Sequence, residues 1–176
     1  MSTQLATART SASASAHGDA YYDAHANVGD EYLTFSLGDE DYAVDILKVQ
    51  EIRGYENVTR LPDSPEFIKG VINLRGVIVP IVDLRIKFAL GEAHYDALTV
   101  MIILNIGSRI IGIVVDRVSD VVRLPADEIK PSPDLGGSVD TRHLSGVATV
   151  AERMLLLLDI ERMLLSGDMA LTDAEA

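Results

Sequence analysis

What most constrains this chain is a succession of short apolar runs, rich in Val, Ile and Leu, that never lengthen into a long helix. In Glu31-Tyr-Leu-Thr-Phe-Ser-Leu37, the residues Leu33, Phe35 and Leu37 share one face and Thr34 and Ser36 the other. That period of two marks a half-buried strand. Tyr42–Asp45, Val71–Leu74, Val77–Val82, Thr99–Leu104, Ile110–Val115, Val118–Arg123, Gly146–Val150 and Arg153–Leu158 read as further strands. β-Branched side chains are stiff and suit a pleated surface better than a helix. Aromatics make up only 5% and Trp is absent, so the core has to be built from these aliphatics. Turn signals recur every ten residues or so, the spacing of an all-β sandwich or barrel.

The connections carry their own chemistry. Gly38-Asp-Glu-Asp41 predicts a turn, and Arg75-Gly76 a tight one in which the glycine supplies a positive φ. Asp45, Asp83 and Asp159 precede the short helical stretches Ile46–Gln50, Leu84–Phe88 and Ile160–Leu165. In each, the carboxylate accepts from amides that a helix start leaves free, and Gly167 stops the last of them. Leu61-Pro62 and Ser64-Pro65 predict an irregular stretch. Pro80 has no amide hydrogen, which predicts a sheet edge or a bulge there. Ile72–Asp83 overlays Leu104–Asp116 with one residue inserted at the turn. That overlay reads either as two ordinary apolar hairpins or as two small barrels of related plan.

Charge and composition narrow the function. The chain has 176 residues, a net charge of -12 and 48% hydrophobic residues, so it packs a core and repels phosphate backbones. Nucleic acid and anionic lipid are therefore not expected partners. With no Cys, a disulfide framework, a thiolate metal site and a cysteine nucleophile are excluded. No secretory signal is visible at the start. The longest apolar stretch, Val100–Val115, is interrupted by Asn105, Gly107, Ser108 and Arg109 and cannot span a bilayer. The expected address is the cytoplasm. Residues 1–29, rich in Ala, Ser and Thr, read as a disordered tail, residues 30–168 as the folded module and residues 169–176 as a flexible end.

No catalytic or metal signature stands out. His17, His25, His94 and His143 lack the spacing of a zinc motif and are expected at the surface. Gly-x-Ser-x-Gly, a Walker loop and a dinucleotide fingerprint are all absent. His143-Leu-Ser145 is too weak a signal for a hydrolase, and Asp39-Glu40-Asp41 lacks the ligand spacing of a calcium loop. The expectation is a protein without catalytic residues, metal or cofactor. Its rivals are a small β-barrel enzyme using dispersed carboxylates and a barrel binding a small ligand between its halves.

One long segment is more specific: Pro65-Glu-Phe-Ile-Lys-Gly-Val-Ile-Asn-Leu-Arg-Gly-Val-Ile-Val-Pro-Ile-Val-Asp-Leu-Arg85. Together with Gly38–Gly54, Ile111-Gly-Ile-Val-Val-Asp116 and Val118-Ser-Asp-Val121, it resembles the chemotaxis coupling family CheW, from about Glu31 to Met169. The resemblance implies two intertwined five-stranded barrels of the Src-homology-3 type with short helices and a C-terminal helix, the last strand returning to the first barrel. It implies an adaptor that joins the cytoplasmic tip of methyl-accepting chemoreceptors to the regulatory domain of the histidine kinase CheA. A receiver domain, as in CheV-type relatives, needs roughly a hundred residues, more than follow Leu158. The stand-alone coupling form is therefore expected.

The resemblance also assigns residues. Val49, Glu51, Gly70 and Arg75 match positions tied to kinase and receptor coupling, and Val100, Gly112, Val118, Val121 and Gly146 match a receptor groove. Arg75 stands in a turn where Asn or Asp is the routine choice, and an ion pair with Glu51 beside Val49 is expected. Three features depart from the family pattern: the Ala/Ser-rich start, the loop Pro131–Thr141, and Arg117, a bulky charge beside the groove floor.

Overall fold

A computed structural model describes residues 30–91, 93–132 and 141–165. The tails expected at 1–29 and 169–176, residues 166–168 of the module, and most of the Pro131–Thr141 loop lie outside these. Among the described residues, ten strands form two five-stranded sheets. The first holds β1 (Asp30–Leu37), β2 (Glu40–Asp45), β8 (Arg117–Leu124), β9 (Leu144–Val150) and β10 (Arg153–Leu158), in the order β8-β1-β2-β10-β9. The second holds β3 (Val49–Gly54), β4 (Ile68–Leu74), β5 (Val77–Asp83), β6 (Val100–Ile106) and β7 (Arg109–Val115), in the order β3-β6-β7-β5-β4. The chain starts in the first sheet, builds the whole second sheet and returns, so that β10 lies parallel to β2. This is the expected all-β, intertwined arrangement of two Src-homology-3-like barrels. Two short helices, α1 (Leu84–Lys87) and α2 (Ile160–Leu164), start on Asp83 and Asp159, whose side chains accept from Arg85 and Ile86 and from Arg162.

The two sheets share one plan. In each, a hairpin (β1-β2 or β6-β7) carries an edge strand on one side (β8 or β3) and a second hairpin in parallel on the other (β10-β9 or β5-β4). The likeness reaches single residues. Gly38 and Gly107 turn the first hairpins at φ 61° and 60°. Arg75-Gly76 and Ala151-Glu152 turn the second, with positive φ at all four residues, as the tightest hairpin turns require. Gly70 sits opposite Ile81 and Gly146 opposite Leu157. The residue after each glycine, Val71 or Val147, bridges an incoming segment at Thr59 or Lys130. Each hairpin then ends in the aspartate that caps a helix. The same five-strand unit thus occurs twice, entered at a different strand. The overlay expected from sequence, Ile72–Asp83 on Leu104–Asp116, instead matches two hairpins of one sheet that meet in parallel at Ile81 and Gly112. The structural repeat sets Gly70–Asp83 on Gly146–Asp159.

Burial follows this plan. Each barrel has a small core of its own, Ile72, Val79, Ile81, Met101 and Ile103 in one and Ala43, Ala148, Leu155 and Leu157 in the other. Ile72, Val79 and Ile81 correspond in position to Ala148, Leu155 and Leu157. A larger cluster, including Phe35, Tyr42, Ile102, Leu104, Ile113 and Leu156, joins the two sheets. Asp116 adds a polar tie: its Oδ2 accepts from the Gly38 amide at 2.7 Å and from an Arg85 guanidinium nitrogen at 2.9 Å.

Three local expectations are corrected, and that for Pro80 holds. β3 is a strand from Val49, the helical turn stopping at Lys48. Its pattern is inverted, with Glu51 and Arg53 half-buried and Ile52 exposed, and inward charges on an edge strand hide it from a hydrophobic period. Pro80 stands, as expected, at a locally open edge, since β5 meets β7 only from Ile81, and Val71 opposite Pro80 exchanges its backbone bonds with Thr59. The missing amide therefore interrupts no ladder. Thr34 and Ser36 are buried, their hydroxyls bonding Asp120 and Asp41. His143 is buried too, and its carbonyl accepts from the Asp159 amide at 2.7 Å.

Candidate functional site

The strongest surface constellation forms where the second barrel closes. Gly76 and Arg75 turn β4 into β5, and the Asn73 side chain accepts from the Gly76 amide at 2.8 Å. The turn projects Arg75, whose side chain is 66% exposed, onto edge strand β3. There Arg75 donates to Glu51 Oε2, as expected from sequence. Arg53 holds the other oxygen at 3.3 Å and reaches Glu56 at 3.3 Å. The Arg75 hydrogen bond is the largest cause of a Glu51 pKa below the ordinary glutamate value; desolvation opposes it and Arg53 adds to it. A carboxylate held ionised between two guanidinium groups is a fixed charge pattern rather than a general acid. Exposed Val77 and Ile78 follow the turn, so apolar surface adjoins Arg75, while exposed Ile52 projects from the other face of β3. Val49, half-buried, packs on the joint core.

Gly70 belongs to this region for a packing reason. A Cβ there would stand 2.1 Å from the Thr59 carbonyl oxygen, because the chain crosses β4 at that point. Gly146 is its counterpart: a Cβ would meet Ile129 Cγ2 at 2.5 Å and the Lys130 oxygen at 2.9 Å.

The five groove residues are not gathered into one floor. Gly112 faces the small core of the second barrel, where a Cβ would meet Ile81 Cδ1 at 2.6 Å and Ile103 Cδ1 at 3.1 Å. Val100 and Val118 pack partly on the joint core. Gly146 is covered by the crossing segment. Val121, 47% exposed, is the member of the set that offers apolar surface. Arg117 opens β8 beside Val118 and lines a shallow depression with Asp39, Asp41 and Arg153.

The barrel repeat relates the two sets. By strand register, Val49 corresponds to Val118, Glu51 to Asp120, Ile52 to Val121 and Gly70 to Gly146. Sequence reading missed this equivalence. Its signal was the Gly-Val pair an equal number of residues before the helix-capping aspartate, at Gly70-Val71 and again at Gly146-Val147.

No group of three His, Asp or Glu side chains suited to a metal occurs among the described residues. Ser145 donates to the Leu157 carbonyl at 3.3 Å, and Asp41 and Glu40 accept from Ser36 and Tyr42. These groups are spent on the fold. No helix among the described residues is long and apolar enough to cross a membrane.

A family model described as a CheW-like domain matches residues 31–167. The chain is 58% identical over 146 residues to the chemotaxis protein CheW of Klebsiella aerogenes, covering 83% of this chain and 88% of that protein. It is 30% identical over 142 residues to CheW of Bacillus subtilis, covering 80% and 90%. Among solved structures it matches the scaffolding protein CheW of Thermoanaerobacter tengcongensis at a TM-score of 0.71 and 32% identity, over 77% of this chain and 87% of that one. With the family model spanning most of the folded region and relatives covered nearly end to end, the chain belongs to the CheW family of non-catalytic chemotaxis scaffolds.

Proposed function

We propose that this chemotaxis scaffold joins the cytoplasmic tip of methyl-accepting chemoreceptors to the regulatory domain of the histidine kinase CheA, and that it does so in the cytoplasm, beneath the receptor membrane. Residues 30–168 form the coupling module. Val49, Glu51, Gly70 and Arg75 serve kinase and receptor coupling, and the face marked by Val118 and Val121 serves the receptor helices.

The observation that carries this reading is the Arg75 tip. An exposed guanidinium, fixed by Glu51 and followed in the chain by exposed Val77 and Ile78, has the charged and apolar composition of a contact patch. An exposed pair adds only about 0–1 kcal/mol to stability. Its use is to set register and charge for a partner. Gly112 and Gly146 support the receptor face through packing, and Val121 supplies its apolar contact.

Co-sedimentation tests the reading. Receptor-containing membranes, purified kinase and this chain are centrifuged together. The kinase pellets only when the chain is present, and the Arg75→Glu variant pellets less of it. Equal pelleting of kinase without the chain removes the bridging role, and unchanged pelleting with Arg75→Glu removes Arg75 from the interface.

A further inference from the structure

An open cavity of about 820 Å³ lies on the second barrel, away from the Arg75–Glu51 pair in its lining, with Arg60, Lys69, His94 and Tyr95 in its wall. Its construction starts from Gly70. Because Gly70 has no side chain, Thr59 and Arg60 cross directly over β4, and Arg60 Cα would stand 3.1 Å from a Cβ at that position. This brings Arg60 to the same rim as Lys69, the residue before Gly70. Tyr95 lines the cavity beside Lys69 and is pinned from three sides. Its ring stacks on Tyr55 at 4.5 Å between centroids, its hydroxyl donates to the buried Asp83, and Lys69 Nζ sits 5.0 Å over its ring.

The electrostatics are unusual for this chain. Acids outnumber bases 27 to 15, and most described arginines and lysines pair with carboxylates or carbonyls. Arg60 and Lys69 have no carboxylate partner among the described residues, although Glu66 lines the same cavity. Two cations against one acid, Glu66, leave this recess a positive lining in an acidic surface.

We propose that this cavity is a docking site for an acidic peptide segment of a partner protein, with Arg60 and Lys69 each taking a carboxylate. A single phosphate is the poorer fit. The open recess, about 820 Å³, is far larger than one small anion, and an extended peptide with two carboxylates fills it and meets both cations.

The test uses the full chain and an acetylated, amidated Glu-rich decapeptide, followed by NMR shifts and by anisotropy. The Glu-rich peptide should shift Arg60, Lys69 and Tyr95 resonances, and the same peptide with Gln for Glu should not. The double variant Arg60→Glu, Lys69→Glu should weaken binding by about tenfold or more, while Arg117→Glu, a reversal on the other barrel, should leave it unchanged. Should the double reversal unfold the chain, Arg60→Gln with Lys69→Gln replaces it, with a loss of at least a few-fold. No binding of the Glu-rich peptide, equal binding of the Gln peptide, or no effect of either double variant would overturn the proposal. Displacement of the peptide by equimolar inorganic phosphate would overturn it in favour of a small-anion site.

Discussion

Replacing Gly70 with alanine separates a packing role from a contact role at a position assigned to coupling. The added Cβ would lie 2.1 Å from the Thr59 oxygen, 2.7 Å from its carbonyl carbon and 3.1 Å from Arg60 Cα. All three are backbone atoms, so no side chain can rotate out of the way. The crossing segment must lift, which breaks the Thr59 amide bond to Val71 at 2.9 Å and the return bond at 2.8 Å. Two such bonds are worth about 2 kcal/mol net. The φ of +148° at Gly70 adds about 1–2 kcal/mol for a residue with a Cβ. The total, about 3–4 kcal/mol, should lower Tm by roughly 6–16 °C at this chain size. Gly112→Ala is the internal control: it meets only the methyl ends of Ile81 and Ile103, which can turn, at about 1 kcal/mol. Urea unfolding read by circular dichroism, with the m-value checked for constancy, measures both. A Gly70→Ala protein as stable as wild type that fails to bind kinase would refute the packing argument and make Gly70 a contact.

Other expectations follow from the same geometry. Arg75→Glu should leave Tm nearly unchanged while weakening kinase recruitment in the co-sedimentation assay; a large Tm loss would mean that the pair is structural. Because Arg75 is the main cause of the lowered Glu51 pKa, an NMR titration of the Glu51 carboxyl should move up toward the ordinary value in Arg75→Ala. The sign for stability follows: Glu51's contribution is present above its unfolded pKa and fades as pH falls through the lower folded value. Tyr42 and Tyr95 have raised pKa values, chiefly through desolvation and then through Glu40 and Asp83 respectively. Stability against urea should therefore hold below the unfolded phenol pKa of about 10 and decline as pH rises above it; phenols that titrate at that ordinary value in the folded chain would contradict this. Asp159→Ala removes the carboxylate that accepts from Arg162 at 3.0 Å, at about 1 kcal/mol, read as a small drop in urea midpoint.

Strands such as β5 and β10 were legible because their apolar side chains run unbroken between turn residues. The three capping aspartates were legible because a carboxylate before an apolar run has one favourable use. β3 was hidden, since its half-buried positions are Val49, Glu51 and Arg53 and its exposed Ile52 points the wrong way for a simple pattern. Thr34 was read as a solvent position because a lone polar residue in a strand gives no sign that a hydrogen-bonding acid waits on a strand more than eighty positions later. The Glu51–Arg75 pair was legible through family resemblance, and its turn through Arg75-Gly76. The dispersal of the groove residues was not, because a glycine facing a core and a glycine under a crossing chain look alike in sequence.

The repeated plan also explains why the two barrels offer different faces. In the second barrel, the acid two positions after Val49 is Glu51, and the β6 residue opposite it is the buried Ile103. Ile103 offers no donor, so Glu51 finds its partners at the surface, in Arg75 and Arg53. In the first barrel, the acid two positions after Val118 is Asp120, and the residue in Ile103's place is Thr34. The Thr34 hydroxyl bonds both the carboxylate and the backbone of Asp120, so this acid, though exposed, is satisfied by the neighbouring strand. The matching turn there is Ala151-Glu152, with no arginine to present. One fold therefore presents an arginine at the Arg75-Gly76 turn of one barrel and none at the Ala151-Glu152 turn of the other, while Ile52 and Val121 stay exposed in both. The change that matters is a buried aliphatic exchanged for a buried hydroxyl, because it decides whether the carboxylate is satisfied by its neighbouring strand or by guanidinium groups at the turn.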